Sequence, residues 1–244
     1  MLDMNPTAFD LRFRILGFPV RVHPLFWIVM ALLGDFAIND PVLGPAGILV
    51  WVACGFVSIL VHELGHALAS RAYGSPSQII LVAFGGVAIS PYPVQAGWQR
   101  LSVALAGPMA GFALLGLVVA SEVAFDWAQI HPALKRAADY LTYINLFWNL
   151  FNLLPIWPLD GGKISREIFY LGGARQPDTM TYTLSLIVAG ALAAYGIAGY
   201  MQIAPPWLND LMPFRPSMLM TMWFALFAYE SYQLLQQSKR SSGW

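Results

Sequence analysis

His62 and His66 stand four residues apart with Glu63 between them, in the run His62-Glu63-Leu64-Gly65-His66. Residues four apart share one face of a helix, so both imidazoles can present ring nitrogens to one ion while Glu63 stands beside them. The set suits Zn2+, which takes three protein ligands in catalytic sites and leaves the fourth position to a water whose pKa it lowers to about 7. Glu63 then reads as a general base, taking a proton from that water and passing it to a leaving amide nitrogen. With four His and four Glu in 244 residues, random placement gives this spacing in about one chain per thousand.

Two histidines leave a ligand to find. Asp160 is the best choice: it follows Asn152-Leu153-Leu154-Pro155-Ile156-Trp157-Pro158-Leu159, where two prolines prevent a regular helix and free the chain to turn the carboxylate inward. Gly161-Gly162 directly after it permits close backbone approach. The rival reading makes Asp160 a cap on a helical segment 163–171. His23, before a proline at a helix entrance, and His131, on the opposite side of the membrane in the topology below, are the other ligand candidates, and both read as interfacial. Asn145, Asn149 and Asn152 form one stripe at i, i+4 and i+7. The first two read as bonds to neighbouring helices; Asn152, nearest the proposed ligand, reads as an amide donor to a developing oxyanion or to a substrate backbone.

The elements that must carry these groups are membrane helices. The chain is 58% hydrophobic and 11% charged, against about 25% charged in a soluble protein. Its thirteen basic residues balance thirteen acidic ones, so no basic field points to nucleic acid. Cys54, the single cysteine, reads as a small buried hydrophobe. Residues 1–21 lack the cleavage pattern of a removable signal peptide. Six runs approach the roughly 20 apolar residues a crossing needs: about 22–38, 42–69, 101–121, 140–156, 182–203 and 217–236. Asp35 falls near the end of the first. Between the second and third, residues 79–93 are β-branched around Gly85-Gly86 and predict a short membrane-associated hairpin turning on those glycines. The fold predicted is therefore an all-α polytopic membrane protein of about six transmembrane helices with one hairpin, a single domain over 1–244 with a core at about 42–165.

Loop charges orient it. With both termini cytoplasmic, ten Lys and Arg fall inside and only Lys135, Arg136 and Arg215 outside, a positive-inside bias. The second and fourth spans then both run inward, bringing His62, His66 and Asp160 to one depth. Ionisable groups at that depth are costly unless paired, which argues against a mere helix-packing role for the histidines.

At these residues the sequence resembles the site-2 protease family of intramembrane zinc metalloproteases. The similar parts are His62 to His66; Phe84-Gly85-Gly86; Ala106-Gly107-Pro108 continuing to Gly111; Asn152 to Gly162 with Pro-Leu-Asp-Gly-Gly; and the entrance from Gly17 to Pro24. The resemblance implies one Zn2+ per chain on His62, His66 and Asp160, Glu63 activating water, and Asn152 contacting substrate or intermediate. It also implies cleavage of a substrate's transmembrane helix in a lipid bilayer, releasing a cytoplasmic fragment that signals. No PDZ or CBS segment like those of many relatives is expected, so regulatory membrane or soluble proteins become plausible partners. An unwound substrate can add to an exposed strand edge, and residues 79–89 are the expected place; the alternative is a hairpin that plugs the cytoplasmic mouth. Gly107 and Gly111 are expected to let helices pack closely. A prokaryotic plasma membrane is the expected location. The competing class is a non-proteolytic membrane zinc protein, a transporter or scaffold; a further rival is a membrane protease acting on soluble or lipidated termini.

Overall fold

The computed structural model describes residues 6–83, 85–90, 94–203 and 218–241. They fall into two compact units, Met1–Phe151 and Asn152–Trp244.

The first unit begins with a hairpin that the all-α expectation did not contain. Strands β1 (Leu11–Ile15) and β2 (Phe18–Val22) pair antiparallel. Leu16 and Gly17 join them with φ of 50° and 86°, the double positive φ of a two-residue turn that matches strand twist. Arg12 and Arg14 alternate with Leu11, Phe13 and Ile15, a period-2 signal too short to stand out beside the long apolar runs. β2 pairs in parallel with β3 (Gln78–Val82), which pairs antiparallel with β4 (Gly85–Ile89), giving the order β1-β2-β3-β4. The predicted hairpin 79–93 is thus present as β3 and β4, but its turn is two residues earlier than expected. Ala83 takes the positive φ of 46°, and Gly85-Gly86 open β4 instead. Phe84 and residues 91–93 lie outside the described residues.

Side chains alternate across a strand, so Phe18, Val20 and Val22 share one sheet face with Ile79 and Leu81. All five are buried with Ile59, Leu60, Leu64 and Ala67 of α2 (Gly47–Ala72). The sheet therefore rests on the half of α2 that carries His62 to His66. Before it, α1 (Pro24–Leu33) starts with Pro24 in its first turn and with His23 as N-cap, whose Nδ1 accepts the Leu25 amide at 3.1 Å. A 3-10 turn, Asp35–Asn39, follows. After the sheet come α3 (Gly97–Phe125), the short α4 (Trp127–Ile130) and α5 (Pro132–Asn152).

At the far end of α2, Asp40 is buried and fully engaged. It accepts the amides of Val42 and Leu43 at 2.9 Å each and the Tyr140 hydroxyl at 2.5 Å, and pairs with Arg136 at 2.7 Å. Burial alone would raise its pKa; those donors, Tyr140 foremost, reverse this and hold it at about 2.

The second unit holds α6 (Asp160–Leu171), α7 (Pro177–Tyr200) and α8 (Met218–Ser241). Pro155 and Pro158 lie in the non-helical stretch before α6, as their missing amides dictate. The Trp157 amide in that stretch donates to Ser185 Oγ of α7 at 2.9 Å. α7 and α8 lie close enough that a Cβ on Gly196 would meet Thr221 Oγ1 at 2.1 Å.

Three described helices, α2, α3 and α7, are long and apolar enough to cross a membrane, where the sequence predicts six runs. α1 has only ten residues, about 15 Å at 1.5 Å each. α5 carries Lys135, Arg136 and Asp139 in its first turns, and α8 ends in Lys239 and Arg240. Large apolar side chains on α3 stand bare, Val123 at 85% exposure and Leu117 at 69%. Lipid, unlike water, solvates such a surface without cost.

Candidate metal centre

The last turns of α2 place His62, Glu63 and His66 together and buried, their ligand atoms within 4.8 Å of one another. The two Nε2 atoms face each other at 3.1 Å. His66 Nδ1 lies 2.7 Å from the carbonyl oxygen of Val103 on α3. A carbonyl only accepts, so this nitrogen carries the proton. His62 Nδ1 lies 2.9 Å from Asn149 Oδ1 on α5. The Asn149 amide is oriented by its other end, where Nδ2 donates to the Asn145 carbonyl at 2.5 Å. His62 Nδ1 therefore also donates. Both imidazoles then turn an Nε2 lone pair toward the same point, an arrangement that suits a cation. Tetrahedral zinc with Zn–N of about 2.0–2.1 Å separates two nitrogens by roughly 3.3 Å, close to what the imidazoles already show. The residues fit the ion.

Glycines make the room. A Cβ on Gly107 would lie 2.2 Å from His66 Nε2, and one on Gly111 would lie 2.1 Å from Asn149 Nδ2. The Gly107-Gly111 spacing on α3 thus admits the side chains of the site, more than the helix packing expected from sequence. Close approach of the two backbones falls to Gly65, whose Cβ would meet the Ala106 carbonyl at 2.3 Å. A Cβ on Gly86 of β4 would lie 2.3 Å from Glu63 Cγ and 2.8 Å from its Oε1. β4 is therefore laid directly against Glu63, with Trp148 of α5 against Gly85.

Asn152 and Asp160 belong to the second unit. Asn152 is the half-buried last residue of α5, and Asp160 the buried first residue of α6. Leu159 holds the N-cap position without a side-chain cap bond, and Asp160 lies in the first turn of α6, which starts three residues before the segment 163–171. Its Oδ1 accepts from Lys163 Nζ at 2.9 Å. The rival histidines both serve helix starts: His23 as described, and His131 through Nδ1, which accepts the Ala133 amide at 3.1 Å. Sequence reasoning missed Asn149 as the partner of His62, though its place in the asparagine stripe was visible. It also missed the Val103 carbonyl, for which no sequence signal exists.

Two buried imidazoles and a carboxylate in the C-terminal half of an apolar helix define a class: a metallopeptidase-type centre in an integral membrane protein. The chain belongs to peptidase family M50, whose profile matches residues 51–140 and 124–196. It is 30% identical over 184 residues to a zinc metalloprotease of Methanocaldococcus jannaschii, a match covering 72% of this chain and 51% of that protein. It is also 30% identical over 169 residues to stage IV sporulation protein FB of Bacillus subtilis, covering 68% and 52%. The chain spans about half the length of these curated relatives. Its fold matches the solved site-2 protease from Methanocaldococcus jannaschii with a TM-score of 0.57 at 21% identity, over 93% of this chain and 95% of that one.

Proposed function

We propose that this chain is an intramembrane zinc endopeptidase that hydrolyses a peptide bond within or beside a transmembrane helix of a membrane-protein substrate. The observation that carries the reading is the pair of imidazole lone pairs 3.1 Å apart, beside Glu63, inside α2. Asp160 serves as the third ligand beside His62 and His66 in this reading, which its place straight after the proline-broken stretch and before Gly161-Gly162 supports. Bound zinc, one per chain, supplies Lewis acidity and lowers the pKa of water. Glu63 holds the proton on its way from the attacking water to the leaving nitrogen. Asn152 donates its amide to the oxyanion or to the substrate backbone.

A helical substrate must unwind before its carbonyls are accessible, and β4 receives the opened segment as an added strand. β4 pairs with β3 on one side, and among the described residues no strand covers the other. The chain acts as one membrane domain with its core at about 42–165. It crosses six times, through α1 with its 3-10 extension, α2, α3, α5, α7 and α8. α1 and that extension together reach about 25 Å. Both termini face the cytoplasm of a prokaryotic plasma membrane, supported by the positive-inside bias. Other membrane or soluble proteins regulate access.

The test is co-expression of the full chain with single-span membrane proteins. Glu63→Gln should retain zinc and lose cleavage by about 10²–10⁴-fold, and Asp160→Ala should lose zinc. Undiminished cleavage by Glu63→Gln overturns Glu63 as the base, and zinc-loaded wild type that cleaves none of these membrane proteins overturns the proposal in favour of a non-proteolytic zinc protein. Cleavage confined to soluble peptides removes its intramembrane part. Proline at Val87 or Ala88 should lower cleavage with zinc intact, because one of two neighbouring amides points outward from the strand edge; unchanged cleavage dismisses strand addition.

A further inference from the structure

We infer that Asn149 is the positioning residue that makes His62 a metal ligand, an assignment that rests on the zinc reading above. Metal-bound histidines hold their tautomer and ring orientation by donating the second ring N–H to an acceptor. His66 uses the Val103 backbone carbonyl, which no substitution removes. His62 uses a side chain 87 residues away on another helix, Asn149 Oδ1 at 2.9 Å.

Everything around Asn149 fixes which end of its amide faces the histidine. Nδ2 donates to the Asn145 carbonyl; a flipped amide would set oxygen against oxygen there and an NH2 against the His62 N–H. Asn145 is held in turn, its Nδ2 donating to Ser58 Oγ at 2.9 Å and to the Leu141 carbonyl at 2.8 Å. Both asparagines are 1% exposed. The Asn149 amide fills the notch left by Gly111, where a Cβ would lie 2.1 Å from Nδ2 and 2.4 Å from Oδ1. A polar rail Ser58, Asn145, Asn149, His62 thus runs between α2 and α5, and the placement of α5 is transmitted to the ring that binds the ion. A cross-link between helices would need neither the amide orientation nor an acceptor at His62 Nδ1.

The test compares full-length wild type with Asn149→Ala, Asn149→Leu and Asn149→Asp, each purified as folded protein. Zinc affinity is measured by chelator competition, and ligand geometry by the visible spectrum after Co2+ substitution. Ala should weaken zinc about 10–100-fold and change the Co2+ bands; Leu, which fills the volume without an acceptor, gives the same reading where Ala does not fold. Asp keeps the acceptor and should return the affinity to within a few-fold of wild type. Affinity and spectrum unchanged in Ala or Leu, or Asp no better than they are, overturns the assignment. Wild type that binds no zinc, or His62→Ala that binds like wild type, overturns the zinc reading itself instead.

Discussion

The two ends of α2 each bury a polar cluster, and they differ in what they leave over. Around Asp40 the carboxylate is answered inside the protein: two amides and a hydroxyl donate to it, and a guanidinium pairs with it. Trp51, nearby, donates to the Met30 carbonyl at 2.9 Å. Around His62 and His66 the outer nitrogens are answered with equal care, while the inner pair converge on each other. A cluster that closes on itself holds helices in place. One that holds its outer nitrogens and aims its inner pair at a single point is arranged to receive something.

Glycine substitutions at the metal end should break this contrast most sharply. Gly107→Ala puts a methyl where His66 Nε2 now lies, so the ring must move; zinc affinity should fall by more than about 100-fold in chelator competition, beyond the range seen for partners one step removed. Gly86→Ala should be milder and selective. The atom it meets belongs to Glu63, so zinc should stay bound while cleavage drops about 10²-fold, the usual penalty for displacing a reacting group by an ångström.

The smallest effects belong to the other end. Tyr140→Phe removes a bond to a buried carboxylate and should cost about 1.5–3 kcal/mol of stability, read by thermal unfolding, with zinc content unchanged. The same carboxylate sets an acid limit. Its folded pKa of about 2 lies below the unfolded value of about 3.9, so its contribution is complete above pH 4 and is lost as pH falls toward 2. Asp40→Asn should flatten that part of the pH–stability curve. A zinc loss in Tyr140→Phe would show that the two ends are not independent.

Different parts of this molecule were legible to different degrees. His62, Glu63 and His66 were plain because helical periodicity is local, and α2, α3 and α7 because a long apolar run has few other uses. The break before Asp160 followed from the missing amides of Pro155 and Pro158. β1 and β2 escaped notice because five-residue strands are recognised by the neighbour they pair with, and β2 pairs in parallel with β3, some sixty residues on. The β3–β4 turn was misplaced for an instructive reason. Gly85-Gly86 looked like a turn, whereas Gly86 is needed as glycine because Glu63 occupies the space where its side chain would be.

What the amino-acid order settles by itself is whatever depends on a few neighbouring residues: which helix face carries the imidazoles, which segments prefer lipid, and where the backbone cannot stay helical. Tertiary structure alone decides which nitrogen of each imidazole carries the proton, because the acceptors lie 37 and 87 residues away. It also decides which glycines serve space and which serve turns. Those choices depend on atoms brought together by packing, and no local pattern records them.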